Sequence, residues 1–217
     1  MQNYIEQIMY IKTANDLAIG HRDRMKTWLY HQSTPPTYIY HRATSAYTAV
    51  VQLYARSGQL PTANITKRRN PEASNDDDTC RLGCNATEDP HHIFVECEVF
   101  EAWRREAGSQ LHDAISVRMV KRGISEETLA NTLEKAKCFF EDRKDIWPLG
   151  NSQFYLGHVP KIEEMLPAMI DENKILREKT IHGIYCDWHN ASVRLASRIY
   201  GEFQRRIMRR WEEKGKN

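Results

Sequence analysis

Residues 80–97 read CRLGCNATEDPHHIFVEC and hold three of the five cysteines and two of the nine histidines of the chain. With His92 counted, the spacing is C-x3-C-x7-H-x4-C, which supplies three thiols and one imidazole. Zn²⁺ takes cysteine sulfur and histidine nitrogen as ligands, and a structural zinc site uses four protein ligands in a tetrahedron. The segment therefore predicts one structural zinc ion held by Cys80, Cys84, His92 and Cys97.

The identity of the fourth ligand and the state of the thiols stay open on the sequence alone. His91 could supply the imidazole, although the x7 and x4 spacing favours His92 because it leaves that residue room to turn back towards Cys97. A disulfide with a spare thiol, or reduced cysteines buried without a metal, would also account for the cluster. Residues 1–20 lack the pattern of a signal peptide, so we expect an intracellular protein, nuclear or cytoplasmic.

The zinc segment and its neighbours resemble the zinc-binding segment that follows the polymerase in non-LTR (LINE-type) retrotransposon reverse transcriptases, especially fungal ones. The resemblance is carried by Cys80, Cys84, Glu88, His92, Cys97, Phe100 and Arg104. Weaker similarity to fungal copies extends over residues 43–59, 155–160 and 188–201. This chain has three residues between its first two cysteines, where the family often has two. The resemblance implies a region without the polymerase palm that binds element RNA or target DNA.

Apolar residues recur at steps of three and four along most of the chain, as they do on one face of a helix. Helices are predicted at 2–18, 22–31, 44–56, 98–121, after Ser125, at 162–178 and at 179–213. Residues 146–162 mix glycine, proline and aromatic residues, which predicts an extended segment packed across the helices. The sequence thus predicts a mainly α, multi-helix domain with a small CCHC zinc knuckle and few or no strands.

The same features divide the chain into four parts. These are an N-terminal helical segment (1–60), a loop (61–79), the zinc knuckle with the following helix (80–123), and a C-terminal helical region with a basic last helix (124–217). The chain has no run of about 18 apolar residues, so no membrane partner is predicted.

Positive charge is concentrated at the C-terminal end. The formal net charge is only +2, yet residues 189–217 contain eight basic and three acidic residues. Four arginines of the last predicted helix fall within a stripe of about 60° on its surface, and three basic residues follow one another in the predicted loop. The predicted contacts to RNA or DNA phosphates are Lys67, Arg68, Arg69, Arg194, Arg198, Arg205 and Arg209. A solvated surface without a partner is the alternative.

No catalytic centre is evident, so the chain is predicted not to be an enzyme. Residues 76–78 are three aspartates, but they lack the apolar strand flanks of a polymerase active site. Two other functions remain open: a protein-interaction or scaffold domain that binds no nucleic acid, and an endonuclease. A nuclease would need acidic residues and a lysine on adjacent strands, whereas residues 141–145 (EDRKD) lie at a predicted helix end.

Overall fold

Five helices make up most of the part of the chain that the structure describes. The structure is a computed structural model, and it describes residues 46–70, 78–120, 126–147, 150–159 and 174–214, all within the compact unit Ser45–Asn217. The helices are α1 (Ala46–Arg56), α2 (Ala63–Arg69), α3 (Glu101–Val120), α4 (Glu126–Lys137) and α5 (Lys174–Lys214). In these ranges β pairing is limited to an isolated bridge between Thr79 and Thr87. The prediction of a mainly α fold with few or no strands is confirmed.

Helix α5 is 41 residues long, and α1 and α3 both pack against it. Its buried face carries apolar side chains at the helical spacing that the sequence predicts. These are Ile181, Ile184, Trp188, Leu195, Ile199 and Phe203. Gly183 and Gly201 lie inside the helix without interrupting it. None of the described helices combines the length and the apolarity that a membrane span requires.

Aromatic rings fill the space between α5 and the segment that follows α4. The ring of Phe139 lies 4.4 Å from that of Trp188 and 5.1 Å from that of Trp147, measured between centroids. The indole Nε1 of Trp147 donates to the carbonyl oxygen of Phe139 at 3.1 Å. Further along, Phe154 and Tyr155 are buried in the 3₁₀ turn Phe154–Leu156. The segment predicted to be extended thus packs through its aromatic residues, although part of it is a helical turn.

Part of the predicted loop at 61–79 is helical, which corrects that prediction. The hydroxyl of Thr62 accepts a hydrogen bond from the backbone N–H of Ile65 at 3.4 Å and caps α2. Ile65 is the buried residue of this short helix, so the helix depends on its cap and on other contacts of its first turn rather than on a periodic apolar face. Residues 71–77, the helices predicted at 2–18 and 22–31, and residues 162–173 of the helix predicted at 162–178 lie outside the described residues.

Helices α3 and α4 approach each other closely at Gly108. A Cβ atom placed there would lie 2.2 Å from the carbonyl oxygen of Lys137, at the end of α4. We therefore expect Gly108→Ala to lower the free energy of unfolding by about 2 kcal/mol, since backbone has to move. The measurement is urea unfolding followed by circular dichroism.

Gly201→Ala provides the control for this substitution. The added Cβ would lie 3.4 Å from the hydroxyl oxygen of Tyr47, which is an ordinary van der Waals contact with a side chain. Because alanine also favours the helix by about 1 kcal/mol over glycine, Gly201→Ala is expected to keep or slightly raise the stability. Equal losses in both variants would contradict the close crossing of α3 and α4.

Candidate metal centre

The first two cysteines of the cluster lie at the ends of a tight turn. The backbone N–H of Gly83 donates to the carbonyl oxygen of Cys80 at 2.9 Å, and Cys80 donates to Ala86 at 2.8 Å. Gly83 has a φ of 101°, in the left-handed region that favours glycine. The turn places the sulfur atoms of Cys80 and Cys84 within 4.8 Å of each other.

The other two candidate ligands are joined by the π-turn His92–Glu96. The backbone N–H of Cys97 donates to the carbonyl oxygen of His92 at 2.7 Å. Residues five apart point about 140° from each other in an α-helix, but a π-turn bonds residue i to i+5 and brings them together. The carboxylate of Asp89 accepts the N–H of His92 at 2.8 Å. The x4 spacing between His92 and Cys97 suits this turn, which the sequence interpretation did not anticipate.

The four predicted zinc ligands meet in one cluster, whose candidate ligand atoms all lie within 4.8 Å of one another. The sulfurs of Cys84 and Cys97 are 3.6 Å apart, close to the separation of about 3.8 Å that two sulfurs have on tetrahedral zinc. Cys80, His92 and Cys97 are buried, and Cys84 is half-buried. All five cysteines are free in the structure. The cluster could therefore hold a metal ion.

Of the two adjacent histidines, His92 belongs to the cluster. Its Nδ1 lies 3.6 Å from a carboxylate oxygen of Glu96, and its Nε2 is buried without a hydrogen-bond partner. A buried nitrogen without a partner is costly, and a histidine ligand usually turns its second nitrogen to a carboxylate. His91 instead contacts Asp142, with 2.9 Å between Nε2 and Oδ2. Nδ1 of His91 is also buried without a partner, but of the two histidines it is His92 that has a ring nitrogen within 4.8 Å of the three sulfurs, which favours His92 as the fourth ligand.

The three thiols differ in pKa, so they do not carry the negative charge of the cluster equally. The hydrogen bond with the Cys97 thiol lowers the pKa of Cys80 to about 4, and the same bond raises the pKa of Cys97. Burial raises the pKa of Cys84. Because cysteine binds metals as the thiolate, a bound divalent cation would displace the remaining protons. Metal binding at this cluster is therefore expected to weaken as the pH falls.

A buried carboxylate attaches the knuckle, residues 78–100, to helix α2. Glu88 is fully buried and accepts the backbone N–H of Ala63 at 2.7 Å and that of Arg81 at 2.8 Å. It also accepts the guanidinium of Arg81, with 2.6 Å between Nη2 and Oε1. Glu88 thus orients the turn between the first two cysteines.

An arginine of α3 holds the other half of the knuckle. Arg104 is buried, and its Nη2 donates to the carbonyl oxygen of Cys97 at 3.0 Å. Burial lowers the pKa of this guanidinium. Phe100 is fully buried beside it at the start of α3. Glu88, Phe100 and Arg104 therefore have positioning roles around the cluster.

Substitution of each histidine tests which one is the ligand. We expect His92→Asn to reduce the metal content from about one ion per chain to a small fraction, because three ligands hold Zn²⁺ much more weakly than four. His91→Asn should keep the metal and lose the contacts of the imidazole with Asp142 and Tyr155. Metal content of the purified proteins by mass spectrometry decides between them, and the reverse ranking would assign the ligand to His91.

The basic residues predicted in the loop lie on α2. The Nζ of Lys67 is 3.3 Å from a carboxylate oxygen of Asp78, and Arg69 donates to the carbonyl oxygen of Gly58 at 3.4 Å. Arg68 is exposed. The three residues are therefore accessible, and two of them already contact other parts of the chain.

All four arginines predicted on α5 are exposed. They are Arg194, Arg198, Arg205 and Arg209. Arg198 lies 4.3 Å above the ring of Trp103 and 2.7 Å from Glu106, and Arg205 lies 2.8 Å from Glu202. Exposed ion pairs contribute only about 0–1 kcal/mol, so these guanidinium groups can exchange their carboxylate partners for phosphates.

Two further arginines of α5 were missed by the sequence interpretation. Arg210 donates to the carbonyl oxygens of Arg81 and Leu82, the latter at 3.3 Å. Arg206 donates to Glu202 at 2.9 Å. Arg206 directly follows Arg205, and Arg210 directly follows Arg209, both of which belong to the predicted stripe. These adjacent pairs were the feature of the sequence from which the two arginines could have been predicted. Through Arg210, α5 contacts the turn that carries the first two cysteines.

The acidic residues considered for a nuclease have other contacts. One carboxylate oxygen of Asp142 accepts the backbone N–H of Ser152 at 2.6 Å, and the other lies near His91. Asp145 pairs with Arg143 at 2.8 Å. Both aspartates lie in the non-helical segment after α4, whereas a nuclease centre was expected on adjacent strands.

Comparisons of the chain with models of known protein families, with curated proteins and with solved structures found no match. The resemblance to the zinc segment of retrotransposon reverse transcriptases therefore rests on the sequence alone. Four of the residues that carry it are the candidate ligands, and Glu88 and Arg104 bond to the backbone of the knuckle.

Proposed function

We propose that this chain contains a zinc-stabilised, non-catalytic module that binds nucleic acid. The proposal of a bound metal rests on one observation, the cluster of three thiols with the unpartnered Nε2 of His92. Thiolate and imidazole ligands in this combination suit Zn²⁺. Four protein ligands fill a tetrahedral site, so the ion would stabilise the fold and would leave no position for a substrate.

The exposed arginines of α5 support nucleic acid as the partner. They lie on a helix whose opposite face is buried, so one side is anchored and the other side is available. The guanidinium group matches the geometry of a phosphate with two parallel hydrogen bonds. The resemblance to a reverse transcriptase segment points to RNA or DNA as the source of these phosphates.

A salt titration tests the nucleic-acid proposal. The logarithm of the binding constant for a labelled RNA or DNA should fall linearly with the logarithm of salt concentration. We expect Arg194→Gln combined with Arg209→Gln to reduce that slope by about 1.5, since each lost phosphate contact removes about 0.7–0.9. Arg105→Gln, an exposed arginine of α3, is the control and should leave the slope unchanged. Affinity that does not depend on salt, or no binding at low salt, would contradict the proposal.

A protein-interaction domain is the second candidate, and one surface favours it. Helix α1 exposes a group of large apolar side chains, each at least one-third accessible. They are Tyr47, Val50, Leu53 and Tyr54. Exposed apolar groups of this kind can mark contact surfaces. Binding of a protein partner through this surface would be weakened by Leu53→Ser and would depend little on salt.

A further inference from the structure

The last turns of α5 and the knuckle line an open, positively charged cavity. Its volume is about 290 Å³, and its lining consists of Leu82, Arg206, Arg209, Arg210 and Glu213. Leu82 belongs to the turn between Cys80 and Cys84, and the other four residues come from α5. Three guanidinium groups therefore surround this cavity together with a single carboxylate.

One of these guanidinium groups is held in place before any ligand arrives. Arg210 donates to the backbone carbonyl oxygens of Arg81 and Leu82, whereas Arg206 forms an exposed pair with Glu202 that it can exchange for a phosphate. A side chain that is already ordered loses less conformational entropy when it binds. Because backbone carbonyl oxygens carry no net charge, these two hydrogen bonds do not neutralise the positive charge of Arg210.

The charge around the cavity is unbalanced. Glu202 is shared by Arg205 and Arg206, and contact with these two arginines lowers the pKa of its carboxyl group, so it is ionised at neutral pH. Counting Arg205, four arginines face the two carboxylates of Glu202 and Glu213, which leaves an excess of two positive charges. Glu88 is buried in its contacts with Arg81, and Glu212, in the same turns of α5, does not line the cavity.

We infer that this cavity is a phosphate-binding clamp that the metal centre assembles. This inference rests on the proposed function for the source of the phosphate, which would be the backbone of RNA or DNA. The carbonyl groups that hold Arg210 belong to residues between two metal ligands. The metal fixes that turn and thereby fixes Arg210. By linkage, phosphate binding at the clamp must then strengthen metal binding to the same degree.

The test compares two pairs of substitutions on the same helix. The clamp variant is Arg209→Gln with Arg206→Gln, which leaves the contact of Arg210 with the knuckle intact. The control variant is Arg194→Gln with Arg198→Gln, which removes the same charge elsewhere on α5. Both proteins are first shown to carry one metal ion per chain and the wild-type circular dichroism spectrum. Each is then titrated with a labelled RNA 12-mer, and binding of inorganic phosphate is followed by phosphorus NMR line broadening.

We expect the clamp variant to bind the RNA at least about tenfold more weakly and to lose the broadening by inorganic phosphate. The control variant should weaken RNA binding but keep the phosphate broadening. In the wild type, the RNA should also slow removal of the metal by a chelator, and in the clamp variant it should not.

The outcomes separate the clamp from the proposed function. If the clamp variant keeps wild-type RNA affinity and phosphate broadening while the control variant loses RNA affinity, the clamp is wrong and nucleic-acid binding stands. If inorganic phosphate binds at the clamp but no RNA or DNA binds, the clamp stands and the proposed function fails. If the wild type binds none of these, both are overturned.

Discussion

Cys84→Ser is expected to leave the protein without bound metal and largely unfolded around the knuckle. Cys84 is half-buried, so the substitution removes little packing, and its main effect is the loss of one of four ligands. Structural zinc sites stabilise a folded domain directly, since the ligand set does not exist in the unfolded chain. We expect a loss of at least about 4 kcal/mol, which would lower the melting temperature by about 10 °C in a chain of this size.

Cys138→Ser is the matched control for this prediction. Cys138 is also a half-buried free thiol, but it lies just after α4 and outside the cluster. It should keep its metal and its melting temperature. Metal content and thermal unfolding are measured on both variants in parallel. A Cys84→Ser protein that keeps one metal ion per chain and the wild-type melting temperature would contradict the assignment of Cys84 as a metal ligand.

Glu88→Gln is expected to produce the second large loss of stability. The fully buried carboxylate accepts two backbone N–H groups and the guanidinium of Arg81. The neutral amide cannot accept all of these bonds, and Arg81 loses its charge partner while most of its side chain is covered. Breaking a buried ion pair costs about 3–5 kcal/mol, and we expect a value near the lower limit because Arg81 is 35% exposed.

Glu106→Gln is the corresponding change at the surface. Glu106 pairs with Arg198 at 2.7 Å, and both side chains are 47% exposed. Loss of this pair should cost less than about 1 kcal/mol. Urea unfolding of the two variants compares them directly. If Glu88→Gln were no more destabilising than Glu106→Gln, the carboxylate would not hold the knuckle against α2.

The sequence was sufficient for the features that depend on local pattern. The buried face of α5 follows from apolar residues three and four apart, because this spacing aligns them on one side of a helix. The candidate ligands follow from side-chain chemistry and from their proximity in the chain. Even the preference for His92 over His91 came from spacing.

Features that depend on contacts between distant residues were not predictable in the same way. Helix α2 depends on a side-chain cap, on the bond of Ala63 to the distant Glu88 and on a single buried isoleucine, so it has no periodic signal. The contact of Arg210 with Leu82 joins residues 128 positions apart, and no local pattern encodes it. The π-turn at His92 has neither the helical nor the strand period, so hydrophobic periodicity does not predict it.

The short span of the cluster has a consequence for the order of folding. The candidate ligands lie within eighteen residues, whereas Tyr47 and Gln204, which join α1 to α5, are 157 positions apart. The entropy lost on closing a loop grows with its length, and distant contacts therefore form later. During synthesis the four candidate ligands are all present before α5 has been translated, so the cluster could take up a metal ion at that stage. The metal centre would then be the first part of the fold to form, and α5 the last.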